Sequence, residues 1–60
     1  MEKYMRVEIV YKDTIKIVEK IKVMKEIYND FLAFYDKEDD LMAMFPKKSI
    51  IAIETYKEDF

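Results

Sequence analysis

Apolar and polar residues alternate along the start of the chain. Met5, Val7, Ile9 and Tyr11 fall on one parity, and Tyr4, Arg6, Glu8, Val10 and Lys12 on the other. A period of two is the pattern of a half-buried strand. Asp13 and Thr14 then read as a turn. Beyond it Ile15, Ile17, Ile21 and Val23 share one parity, while Lys16, Lys20 and Lys22 share the other, with Glu19 out of step. Pairing the two segments exposes a conflict. A two-residue turn at Asp13 and Thr14 sets Val7 against Lys20, whereas a one-residue shift sets Val7 against Ile21, Met5 against Val23 and Glu8 against Lys20. Such a slip turns a whole strand over, so something must absorb the extra residue: a bulge near Val18 and Glu19, or a three-residue loop that asks branched Ile15 to take a costly left-handed conformation.

A helix competes for the middle of the chain. Asp13 suits an N-cap, and Ile17, Ile21, Met24, Tyr28, Phe31 and Tyr35 follow a four-three spacing. On that helix Val23 and Ile27 fall on the charged side, which favours strands. The second half is clearer. Asn29 and Asp30 mark a break. Residues 31–35 and 41–45 are each apolar on both faces, with a polar turn over residues 36–40 between them. Pro46 has no N–H for a ladder and ends its strand. Lys47 and Lys48 turn the chain into a last strand over residues 49–56. The chain has no glycine, so two-residue turns with both residues left-handed are not expected, and Asn29, Asp30, Asp39 and Asp40 are the substitutes. The expected fold is a single all-β domain over residues 1–60, a small antiparallel meander or barrel-like sheet of four to six strands. The alternative is α+β, βαββ, with a helix over about residues 14–29.

Composition supports strands. Eight Ile, four Val, five Tyr and four Phe stand against two Leu and three Ala, and branched and aromatic side chains suit a pleated surface. It also points to self-association. A chain of 60 residues buries only about 60% of its unfolded surface. Small scaffolds add disulfides, metals or partners, and this one has no Cys or His with which to build the first two. Two strands apolar on both faces further imply a sheet covered twice, by curling or by a second subunit. A homodimer is the expectation. No apolar run approaches the roughly 20 residues of a membrane-spanning helix, so a cytoplasmic protein without membrane contact is expected.

The same absences remove most chemistry. Without Cys or His there is no zinc site, thiol nucleophile or neutral imidazole base. Without Gly there is no phosphate-cradling loop. Paired carboxylates do acid–base work only where burial or crowding separates their pKa values, and no pattern here suggests a cleft. The expectation is a protein that is not an enzyme and uses no cofactor.

Charge is segregated although the net charge is only −2. Residues 12–25 carry five Lys against Asp13 and Glu19, and residues 36–40 carry four acids against Lys37. Asp36, Glu38 and Asp40 match positions one, three and five of a calcium loop, but Leu41 stands where the turn needs Gly and Lys47 where a bidentate Glu belongs. No metal site is therefore assigned. The acidic turn reads instead as a solvated hairpin tip or a protein-contact patch, with Asp36, Glu38, Asp39 and Asp40 as candidates. Met42 and Met44, adaptable in shape, and the terminal aromatics Tyr56 and Phe60 complete the candidate protein contacts. Arg6, Lys16, Lys20, Lys22 and Tyr11 are the candidates for nucleic-acid contact, tracking phosphates and stacking on bases. The acidic balance of the chain weighs against that second use.

The run Phe31-Leu32-Ala33-Phe34-Tyr35-Asp36, the acidic turn, Leu41-Met42-Ala43-Met44-Phe45-Pro46 and then Ser49-Ile50-Ile51-Ala52-Ile53-Glu54 resembles short uncharacterised proteins of bacteriophages and mobile elements of Gram-positive bacteria. In those a hairpin closed by a Phe-Pro pair leads into a final strand. The turn departs from the pattern, with Asp39-Asp40 where Gly is expected. The resemblance implies a small accessory protein, from a class rich in inhibitors of host defence and nucleic-acid-processing enzymes, and it carries no catalytic residues. The functional expectation is a protein-binding module that inhibits or occludes a host protein. The alternatives are a small nucleic-acid-binding barrel using a lysine-rich strand face, and a structural subunit of a larger assembly.

Overall fold

In the computed structural model, which describes residues 3–59, the chain forms six strands. These are β1 (Lys3–Tyr11), β2 (Thr14–Ile21), β3 (Val23–Ile27), β4 (Phe31–Tyr35), β5 (Leu41–Pro46) and β6 (Ile50–Asp59), with a 3-10 turn over Lys47–Ser49 before the last. Two antiparallel three-stranded sheets result, the first in the order β2-β1-β6 and the second β3-β4-β5. The all-β reading holds, and the stretch that competed as a helix is β2, β3 and a turn. The chain passes from one sheet to the other through Lys22, whose N–H donates to Tyr35 O at 2.8 Å. It returns through the 3-10 turn, where Lys47 N–H donates to Asp30 O at 2.8 Å.

Directly opposed residues share a sheet face, so the register tells which side chains face which way. Met5, Val7, Ile9 and Tyr11 of β1 point inward, as their parity predicted; Val7 and Ile9 are fully buried. In the second sheet the inward rows are Glu26–Leu32–Phe45 and Met24–Phe34–Ala43. Phe34, Ile9, Ile21 and Val7 form the centre of the core, with Tyr11, Leu32 and Phe45 packed around it. Phe45 links the sheets. Its ring lies 5.5 Å from that of Tyr11 and 6.2 Å from that of Phe34, tilted or edge-on in both cases, the geometry that aromatic quadrupoles favour.

The first hairpin corrects the sequence reading by one residue. Tyr11 pairs with Thr14, so the turn is Lys12-Asp13, and Lys12 carries the left-handed φ of 57°. Val7 therefore faces Val18 rather than Ile21, and Met5 faces Ile21 rather than Val23. The expected bulge is present one step along, at Lys20, where φ is 58°. Because it lies near the end of β2, Ile21 returns to the core while Ile15 and Ile17, ahead of it, stay outward at 63% and 57% exposure. Lys16, Lys20 and Lys22 consequently do not form one face: Lys16 lies opposite inward Ile9, and Lys20 sits in the bulge.

The second hairpin departs from expectation too. Asp30 N–H donates to Ile27 O, closing a turn whose two central residues, Tyr28 and Asn29, have φ of 55° and 60°. This is the demanding turn thought unavailable without glycine. Asn tolerates it; a bulky Tyr does so at a cost.

Candidate protein interface

The outward face of the second sheet is the most unusual surface of the molecule. Three rows cross it: Ile27–Phe31–Pro46, Lys25–Ala33–Met44 and Val23–Tyr35–Leu41. Lys25 is the single charged residue among them, and its ammonium lies 5.3 Å from the centre of the Tyr35 ring. This is the outcome of two strands that are apolar on both faces. The first sheet covers one side of β4 and β5; on the other side Lys25, Leu41 and Met44 are exposed, while Val23, Ile27, Phe31, Tyr35 and Pro46 are half-buried. Ala33, flanked by larger neighbours on that outer side, is nevertheless fully buried, while Leu41 and Met44 are 52% and 43% exposed.

Tyr28 stands at the tip of the β3–β4 hairpin, directly after Ile27 and three residues before Phe31, and is 83% exposed. An exposed aromatic ring held on a left-handed backbone contributes little to the core and costs stability. Strained residues of this kind concentrate at functional positions. Sequence reasoning did not place Tyr28, Ile27, Phe31 or Tyr35 at a protein contact. The available signal was the double-faced apolar character of residues 31–35, which left open which face would be covered.

The acidic turn joins β4 to β5 at the edge of this face. Asp36 organises it: its Oδ1 accepts hydrogen bonds from the N–H groups of Glu38, at 2.9 Å, and Asp40, at 3.0 Å. Asp39 N–H donates to Asp36 O at 3.1 Å, and Asp39 itself is left-handed at φ 63°. The Asp36 carboxylate thus substitutes for missing glycine chemistry by satisfying the turn's own backbone. Glu38, Asp39 and Asp40 are exposed. Among the described residues no group of three acidic side chains is placed to hold a metal ion.

The predicted protein contacts separate into distinct places. Met44 lies in the apolar face, and Met42 is the bulged residue between Ala43 and Leu41. Met42, Asp36 and Glu38 line a shallow cleft of about 330 Å³ with Tyr4, Lys20 and Lys37. Tyr56 is on the outward face of the first sheet, beneath the Arg6 guanidinium at 4.7 Å, with its hydroxyl donating to Glu54 Oε2 at 2.9 Å. That bond to a carboxylate, together with the nearby negative charge of Glu54 and Glu8, raises the Tyr56 pKa above the ordinary phenol value. Phe60 lies outside the described residues.

The predicted nucleic-acid contacts are equally dispersed. Arg6 is paired with Glu8 at 3.0 Å. The Tyr11 ring packs on Phe45. Lys22 lines a second cleft, of about 350 Å³, with Lys3, Lys57 and Tyr4; its ammonium donates to Lys3 O at 3.0 Å and lies 5.1 Å from the centre of the Tyr4 ring. Among the described residues no helix is long and apolar enough to cross a membrane.

No family model matches this chain, and neither does any curated protein or solved structure.

Proposed function

We propose that the protein is a non-catalytic protein-binding module that docks on its target through the outward face of β3, β4 and β5. In this reading it is an accessory protein of a phage or mobile element that occludes a host protein. The observation that carries the proposal is a sheet face with one charged residue, Lys25, among its three rows. Tyr28 adds an exposed aromatic anchor, the residue type enriched among the strongest contributors to protein interfaces. The acidic turn supplies a polar rim that favours partners with a basic margin. The resemblance to phage proteins falls largely on β4 and β5, the strands that form most of this face.

A tagged pull-down from bacterial lysate, with and without nuclease and at low and high salt, tests the reading. The expected result is a stoichiometric protein partner that survives both treatments and is held at least about tenfold less well by Met44→Lys, a change of roughly 1.4 kcal/mol or more. Met44 points away from the core, so the variant keeps its fold. Unchanged retention by Met44→Lys, or loss of the bound material with nuclease, would refute docking through this face. The second outcome would favour nucleic-acid binding at the cleft of Lys3, Lys22 and Lys57.

A further inference from the structure

We propose that two copies of the chain pair antiparallel through β6, about a two-fold axis at Thr55, to make one continuous six-stranded sheet.

Four of the six strands lie at sheet edges. Two of these, β2 and β5, approach each other where the sheets meet, and β3 is only five residues long. β6 is different: ten residues, laddered to β1 alone, with every residue from 51 to 57 exposed. Ile51 is 68% exposed and Ile53 39%, although Ile53 faces inward opposite Ile9. A long edge strand rich in branched residues is a template for pairing with another chain. Between Ile50 and Thr55 the one charge is Glu54 and there is no Pro. The chain also exposes 4514 Å², about 300 Å² more than the roughly 4,200 Å² of a compact monomer of 7.4 kDa.

The sequence of β6 selects a second copy and a register. A two-fold axis perpendicular to the sheet keeps inward side chains inward, so facing residues have equal parity and the axis passes through a residue pair. Centring on Glu54 or Lys57 opposes like charges on the axis, and centring on Tyr56 sets Glu54 against Glu58 twice; each is unfavourable. Centring on Ile53 requires the ladder to cross the bulge at Ile51 on both strands. Centring on Thr55 avoids both faults. It sets Thr55 against Thr55, Glu54 against Tyr56, Ala52 against Glu58, and the exposed Ile53 against the aliphatic stem of Lys57. Opposed threonines can exchange hydroxyl hydrogen bonds, and a lysine stem can cover an isoleucine while its ammonium stays in water. The pairing uses the first sheet alone and does not depend on the interface proposed for the second.

The test exploits a chain without cysteine. Light scattering at micromolar concentration is expected to give twice 7.4 kDa, for the native chain and for Met44→Lys alike. On oxidation Thr55→Cys is expected to cross-link to itself, since opposed Cα atoms of an antiparallel pair lie about 4.5–5.5 Å apart, within disulfide reach. Ile53→Cys and Lys57→Cys, each about 14 Å from its own symmetry mate, should cross-link only when mixed. The mixed pair keeps the register testable if Thr55→Cys fails to fold. A monomeric mass overturns the dimer. A dimer in which Ile53→Cys links to itself, or in which none of these variants links, overturns the β6 pairing.

Discussion

The left-handed backbone at Tyr28 allows a test in which the sign of the answer decides. The perturbation is a pair of variants, Tyr28→Ala and Tyr28→Gly, both of which remove the ring. Their difference isolates the backbone. At φ 55° an alanine carries a penalty of about 1–2 kcal/mol that glycine does not. Glycine loses about 0.4–1 kcal/mol more through the greater freedom of its unfolded chain. The balance favours Tyr28→Gly by about 0.5–1 kcal/mol. For a domain of this size that is a melting temperature roughly 2–8 °C above that of Tyr28→Ala. At an ordinary extended position the order is reversed, because glycine is the weaker residue there by about 0.5–1 kcal/mol. Thermal and urea unfolding at one fixed chain concentration, needed because association shifts apparent stability, measure the difference. If Tyr28→Ala is as stable as Tyr28→Gly or more so, the strained turn is wrong. Both variants should weaken partner capture alike, since in the proposed interface Tyr28 acts through its exposed ring. Capture that tracks stability instead would remove Tyr28 from the interface.

Two further outcomes follow from side chains around the sheets. Asp36→Ala leaves the Glu38 and Asp40 amides without their acceptor and should cost about 1 kcal/mol by urea unfolding; Asp36→Asn keeps an acceptor oxygen and should recover most of it, and equal losses would show that the carboxylate geometry is not what closes the turn. Tyr56 titrates above its ordinary value, so its contribution to stability is present below pH 10 and is lost as the pH rises through the raised folded-state value; ultraviolet titration of the phenols should show Tyr56 ionising late, and Glu54→Gln should bring it earlier.

Strand existence was legible because period and punctuation are local. Residues 31–35 form β4 with the expected limits, Pro46 closes β5, and the lysines after it turn the chain. The bulge on β2 was legible as well, since a two-residue turn at Asp13 and Thr14 set Val7 against Lys20 and an extra residue had to be absorbed to bring Ile21 to the apolar face. What was not legible was which residue would take the left-handed conformation. Lys12 rather than Asp13 leads the first turn, and Tyr28 shares the second with Asn29. The two-residue primed turn matches the twist of its strands, and the strand pairing on either side decides who occupies it. The lysine face failed for the same reason: one bulged residue at Lys20 changes the parity of everything beyond it.

The proposed interface was harder to read because it depends on what the core cannot accommodate. Thirty-one residues are apolar, yet the core centre needs only Val7, Ile9, Ile21 and Phe34. Two three-stranded sheets packed together cover one face of each, and the described residues hold no further strand or helix to lay over the other faces. The surplus of branched and aromatic residues therefore stays outside, on the outer rows of β3, β4 and β5 and along β6. Its existence follows from composition and length. Its position does not, because β4 and β5 are apolar on both sides and either side could have met the first sheet. The register settles which side that is: Leu32, Phe34, Ala43 and Phe45 face the core, which leaves Phe31, Tyr35, Leu41 and Met44 on the outer face. Substituting on the outer set should thus impair binding before folding, and substituting on the inner set should impair folding before binding.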